Sequence, residues 1–150
     1  MDFDGLGSLA AHFERIAAQA AAAEAHNGLE KAASLLADKA RDAIGEYHDA
    51  VGPIPAWEPL ADATKADRVA QGYPEDEPLL RSGELRDSIG HEVSGNTAWV
   101  GSTSDLAPFH EFGTSRMPPR PIFGTALYEN ISEVVHEVGL TATAKIRGQQ

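Results

Sequence analysis

The chain has 150 residues, no cysteine, and a formal net charge of -11 from 12 basic and 23 acidic side chains. That length suits one domain, or a domain with an appended helix, and buries a core without disulfides or metal. The acidity excludes long-range attraction to phosphate backbones, so specific nucleic-acid binding is not expected, and the missing cysteine excludes disulfide and thiolate chemistry. The opening Met1-Asp2-Phe3-Asp4-Gly5 lacks the basic start and apolar run of an export signal. The longest low-polarity stretch, Ile16 to Ala25, is interrupted by Gln19 and Glu24 and is too short to cross a bilayer, so no membrane association is expected.

Residues 1–8 read as a disordered lead-in, with Ser8 as an N-cap. Leu9, Phe13, Ile16, Ala20 and Ala23 recur at helical steps, and Leu29, Ala33, Leu36, Ala40, Ile44 and Tyr47 resume the spacing after His26-Asn27-Gly28. One long helix is expected from about residue 9 to about residue 50, with a kink near Gly28, where glycine costs roughly 1 kcal/mol relative to alanine. Its apolar face is mostly alanine, which suits close packing along another helix or a neighbouring subunit. Gly52-Pro53-Ile54-Pro55 ends it. Residues 1–52 are accordingly assigned to this helix, as an arm or packing element, and 53–150 to an α+β domain.

Residues 52–82 read as a long ordered loop with a helical turn at Ala61 to Lys65, and Gly72 to Pro78 as an exposed, turn-rich segment, functional or mobile and a candidate for subunit or partner contacts. Ser82 is placed as the cap of a short helix reaching Ser88. His91–Ser94 and Thr97–Ser102, separated by Gly95-Asn96, are the clearest strand signal, a hairpin that needs a helix or further strands to cover it. Asp105 to Gly113 reads as a short helix capped by Asp105, with Pro108 in its first turn and Gly113 at its end. Phe109 and Phe112, three apart, share a face expected to anchor that helix on the sheet. Met117-Pro118-Pro119-Arg120-Pro121 is a stiff extended connection. A single last helix is expected from Ile122 into the 140s, fraying from Ala144. The fold class is α+β: a long N-terminal helix, a small antiparallel sheet containing a hairpin, and a short helix and C-terminal helix packed on it.

Catalytic patterns do not assemble. His110-Glu111 begins like the zinc-protease helix motif, but Thr114 stands where the second histidine belongs. The six histidines have no ligand spacing, so no metal or other cofactor is expected. The serines sit in no nucleophile elbow, and Gly5-Leu6-Gly7 follows no strand and lacks a P-loop lysine. A small hydrolase or metalloenzyme therefore remains an alternative without a site, and a regulatory or toxin–antitoxin protein another alternative. Arg81, Arg86, Arg116 and Arg120 are the only lysines or arginines between Gln71 and Val135, and offer a local basic face to an acidic partner. Arg120, between two prolines, suits a defined salt bridge within or between subunits. Arg120→Ala is then expected to leave the monomer folded and block its assembly.

Three elements in order carry a family resemblance. Leu80-Arg81-Ser82-Gly83-Glu84-Leu85-Arg86-Asp87-Ser88-Ile89, then Ala107-Pro108-Phe109-His110-Glu111-Phe112-Gly113-Thr114, then Met117-Pro118-Pro119-Arg120-Pro121-Ile122-Phe123 resemble the neck or tail-completion proteins of long-tailed phages and the related virion-morphogenesis proteins of Mu-like phages. Trp57-Glu58-Pro59-Leu60 is similar to an element that precedes the first motif there. Pro108 and Pro119 depart from the pattern without removing its Glu-Phe-Gly or Arg-Pro core. The resemblance, over roughly residues 57–130, implies a structural virion protein and not an enzyme. It implies a homo-oligomeric ring at the head–tail junction, joining the portal, adaptor or stopper complex to the tail tube and lining a channel that passes DNA without specific binding. The alternative in the same particle is the tail terminator that caps the tube. Localisation would be the virion, and the host cytoplasm during assembly. Motif and assembly candidates are Trp57, Leu60, Gly83, Leu85, Arg86, Ser88, Ile89, Glu111, Phe112, Gly113, Thr114, Arg116, Pro118, Arg120 and Pro121.

Overall fold

The computed structural model describes the backbone of residues 6–147 and the side chains of 14–139. Eight elements follow one another: α1 (Leu6–Ala43), α2 (Asp62–Ala70), α3 (Glu84–Asp87), β1 (Ile89–Ser94), β2 (Thr97–Ser102), α4 (Ala107–Phe112), α5 (Ile122–Glu129) and α6 (Ile131–Arg147). The architecture is α+β, as the sequence pattern implies.

Helix α1 runs through 38 residues without a break. The kink expected at Gly28 is absent: Gly28 is buried inside the helix, where packing outweighs a propensity cost of about 1 kcal/mol. Ser8, expected as a cap, lies within the helix, and the lead-in at residues 1–5 falls outside the described residues. The helix also stops earlier than its periodicity suggests. After Ala43 the chain turns at Gly45, whose N–H donates to the Pro78 carbonyl at 2.9 Å, so Tyr47 stands outside the helix. Along α1, residues 14–20 are exposed, whereas Ala32, Ala33, Ala37, Ala40, Ala43 and Ile44 are buried. Small side chains let neighbouring backbones approach, and the fully buried Ala37 and Ala40 share a core with Ile122 and Ala126 of α5.

The hairpin is antiparallel, with Ile89 opposite Ser102 and Ser94 opposite Thr97 around the Gly95-Asn96 turn. Period-two alternation turns Ile89 and Val100 toward the core and leaves Glu92 and Trp99 exposed on the other face. The main cover of this sheet is α1 and not the C-terminal helix, which lies along α1 instead. The single last helix expected from Ile122 is two helices, α5 and α6, interrupted at Asn130. The Asn130 side-chain amide donates to the Ala126 carbonyl at 2.9 Å, and its own carbonyl accepts from Val134 at 3.0 Å. One asparagine thus closes the first helix and opens the second. The stretch from Ala144, expected to fray, is helical as far as Arg147.

Candidate assembly site

Seven of the fifteen motif residues line one groove of about 1070 Å³, walled by α2, the 79–85 segment, the start of α4 and the 114–118 turn. Leu60, Gly83, Leu85, Thr114, Arg116, Pro118 and Arg120 all line it.

Its floor is built by polar side chains spent on the protein's own backbone. Arg120 is only 5% exposed. Its Nε and Nη2 donate to the Glu58 carbonyl at 3.0 and 2.7 Å, and Nη2 donates to the Pro59 carbonyl at 3.1 Å. The backbone N–H of Arg120 donates to the His110 carbonyl at 2.7 Å. Burial lowers the guanidinium's pKa. The salt bridge expected of Arg120 is therefore not made: among the described residues it pairs with carbonyl oxygens, and it ties the Trp57–Leu60 element to the Arg-Pro element. Its loss would remove core bonds, so Arg120→Ala is expected to cost stability as well as assembly. Arg68 does the same work nearby. Buried, its Nη1 donates to the Glu77 and Leu80 carbonyls at 2.7 and 2.9 Å, and to that of Pro74 at 3.3 Å.

The 72–80 segment is consequently anchored, which sets aside the mobile alternative for this loop. Asp76 accepts from the Tyr47 hydroxyl at 2.5 Å and from Lys65 Nζ at 2.9 Å. Those two donors, the tyrosine first, hold the carboxyl below its ordinary range.

Glu111 caps α5. Its Oε2 accepts from the N–H groups of Ile122 and Phe123 at 2.7 and 3.1 Å, and Oε1 from Gly124 at 2.9 Å. A carboxylate here satisfies donors that a helix start leaves open and faces the positive end of its dipole. Gly113 is required beside it. With φ of +72°, a Cβ there would lie 2.8 Å from the Pro119 nitrogen and 2.9 Å from the Met117 carbonyl oxygen. The backbones of Thr114 and Met117 bond mutually at 2.8 and 3.3 Å, and Thr114 Oγ1 accepts from the Arg116 N–H at 3.2 Å.

The remaining motif residues are mostly internal too. Trp57 is buried, its Nε1 donating to Thr125 Oγ1 at 3.1 Å and its ring meeting His48 edge-on. Leu60, Leu85, Ile89 and Pro121 are buried. Gly83 is buried with φ of +90° where α3 begins, and Ser82, expected as that helix's cap, only accepts a long 3.4 Å bond from Glu84. Ser88 Oγ donates to the Leu85 carbonyl at 2.6 Å and lies 2.5 Å from Ser102 Oγ.

Three motif side chains are not used this way. Arg86 is exposed, with only its neighbour Asp87 at 3.3 Å. Arg116 is exposed and has no ion pair among the described residues. Phe112 is 80% exposed, and Phe109 and Leu106 of the same face are 51% and 56% exposed. The expectation that Phe109 and Phe112 anchor α4 on the sheet is wrong. Ala107 is the buried residue of α4, which packs against α5, and the phenylalanines turn outward. Asp105 does not cap α4 either: Ser104 Oγ accepts from the Leu106 N–H at 3.3 Å.

His110, at the groove wall, has its Nδ1 buried with no hydrogen-bond partner among the described residues. Burial, and then the Arg120 charge, lowers its pKa. Among the described residues no group of three or more histidine, cysteine, aspartate or glutamate side chains is arranged to hold a metal, and no helix is long and apolar enough to cross a membrane. Sequence reasoning missed Arg68 altogether, because its lone clue was an arginine in a short amphipathic helix.

No solved structure matches the chain. It is 32% identical over 79 residues to a Haemophilus influenzae protein named Mu-like prophage FluMu G protein 1, a match covering 52% of this chain and 53% of that protein. The chain thus spans about half the length of this curated relative. The sequence profile of the phage virion morphogenesis family matches residues 6–144, which takes in α1 as well as the motif segment. With nearly the whole chain inside that match, and the motif residues shared between one scaffold and one surface, the chain belongs to the phage virion morphogenesis family and its role is a structural or assembly one.

Proposed function

We propose that this chain is a structural subunit of the head–tail junction, a neck or tail-completion protein that forms a ring between the portal, adaptor or stopper complex and the tail tube. One observation carries the reading. The motif residues that chemistry would need, Glu111 and Arg120, are saturated by the chain's own backbone, whereas Arg86, Phe112 and Arg116 have no comparable use inside the subunit. Catalysis needs convergent polar groups aimed at a reacting atom, and assembly needs a firm scaffold with unused groups at its rim. The net charge of -11 fits a channel that repels phosphate, through which DNA slides without being held. In the infected host the subunit would be made in the cytoplasm and end in the virion.

Cryo-EM of the junction in virions of the source phage tests this. Ring density for this chain between portal complex and tail tube is the expected result, and it gives the copy number. Density only at the end of a detached tail would instead assign the tail-terminator role. Absence from the particle would overturn both.

A further inference from the structure

The hairpin and the groove each carry an aromatic side chain and a charge that the subunit leaves without a partner. On the outward face of the sheet, Trp99 is 54% exposed and pairs in register with Glu92. Glu92 is exposed and makes no ion pair among the described residues. Helix α1 covers the other face of this sheet, and tryptophan beside a carboxylate on the open face is an uncommon choice for a surface meant only for water.

The groove offers the complementary set. Leu106 and Phe109 form an apolar lip, and Arg116 stands on the same wall without an internal ion pair. Four arginines line the groove against three carboxylates, Glu58, Asp67 and Glu84. That leaves a small positive surplus in a chain whose net charge is -11. Two copies of so acidic a protein repel one another, so they associate where charge is locally compensated. Neither Trp99 nor Glu92 lines the groove.

We infer that the groove of one copy receives Trp99 of a second copy, with Glu92 of that copy placed against Arg116 of the first. The inference rests on the ring reading above and names its interface. The two surfaces share no residue, so the contact is head-to-tail, and such a contact closes into a ring when its rotation permits. Tryptophan and arginine are the side chains that most often dominate such interfaces.

Sedimentation velocity of the full chain over a wide concentration range tests it, with circular dichroism to check folding. Wild type should assemble beyond a dimer. Trp99→Ala and Phe109→Asp, both at exposed positions, should remain folded and each weaken assembly by roughly 30-fold or more. Mixed one to one they should form dimers and nothing larger, because the mixture retains one working knob and one working groove. Glu92→Arg should weaken assembly about tenfold, and Arg116→Glu in the same chain should restore it. If wild type assembles and the folded single variants assemble equally well, this pairing is overturned while the ring stands. Variants that stay monomeric, with a mixture that forms no dimer, overturn the head-to-tail pairing. A wild type that stays monomeric at every concentration overturns this inference, while the ring reading still rests on the density at the junction.

Discussion

The buried arginines on the floor of the groove and the exposed arginines of the motif segment are one residue type put to opposite uses. Arg68 and Arg120 are buried, and each gathers several backbone carbonyls, Arg68 from the loop that follows its own helix and Arg120 from a segment distant in sequence. Arg86 and Arg116 are exposed and contribute almost nothing to their own subunit. A guanidinium has five donors in a fixed fork, so it can replace a stretch of secondary structure by holding an irregular segment through its carbonyls. The same fork at a surface is an unspent recognition group. A motif arginine therefore does not announce its role by its type. The partner decides, and carbonyl partners mark a scaffold.

Substitutions should separate the two uses. The largest effect is expected at the floor: Arg120→Ala removes three bonds and strands the Glu58 and Pro59 carbonyls. A loss of roughly 3 kcal/mol is expected in urea titrations, with Tm lower by about 10 °C. An unchanged transition midpoint would erase the distinction drawn here. Next, Glu111→Ala should cost about 2 kcal/mol through the lost cap of α5, and Glu111→Gln roughly half as much, because one acceptor oxygen survives. Equal losses in both would locate the effect elsewhere.

A smaller effect is expected from His110. Its folded pKa lies below the ordinary 6.5, so the unfolded chain takes up a proton first as pH falls. Its contribution is complete above 6.5 and declines from there down through the lower folded value. Thermal scans of wild type and His110→Gln should diverge in pH dependence below 6.5, wild type falling more steeply. Parallel curves would mean that the buried Nδ1 is no liability. Smallest of all in stability is Arg86→Ala, expected within about 0.5 kcal/mol of wild type. In a complementation assay with particles it should nonetheless reduce incorporation, and full incorporation would remove Arg86 from the assembly surface.

Local pattern told much of the fold and little of the site. The period of α1 and the Gly95-Asn96 turn are signals carried within a few residues, and both elements form close to where the pattern puts them. Spacing also puts Phe109 and Phe112 on one face of α4. It does not say whether that face looks inward, because burial depends on what the rest of the chain brings alongside. Asn130 splits the last helix although the apolar period of Leu127, Ile131 and Val134 runs on through it. The targets of Arg120 lie some sixty positions earlier and are backbone oxygens, which no residue type advertises. The family resemblance picks out Glu111, Gly113 and Arg120 as a set, and the fold reveals that they fasten α4, the turn after it and α5 to one another.

The place of α1 in the chain governs the order in which the molecule can be made. Its buried residues, Ala37, Ala40 and Ala43, rest against Trp57, Ile122 and Ala126, and α6 lies along it. Helix α1 leaves the ribosome before α5 and α6 and thus waits for them before its apolar face is covered. Contacts of such long sequence separation are slow to form, and an uncovered helix face is open to aggregation in the interval. The alanine-rich composition eases that wait. Small side chains expose little apolar surface while the helix is alone, and they still permit a close fit once the partner helices arrive.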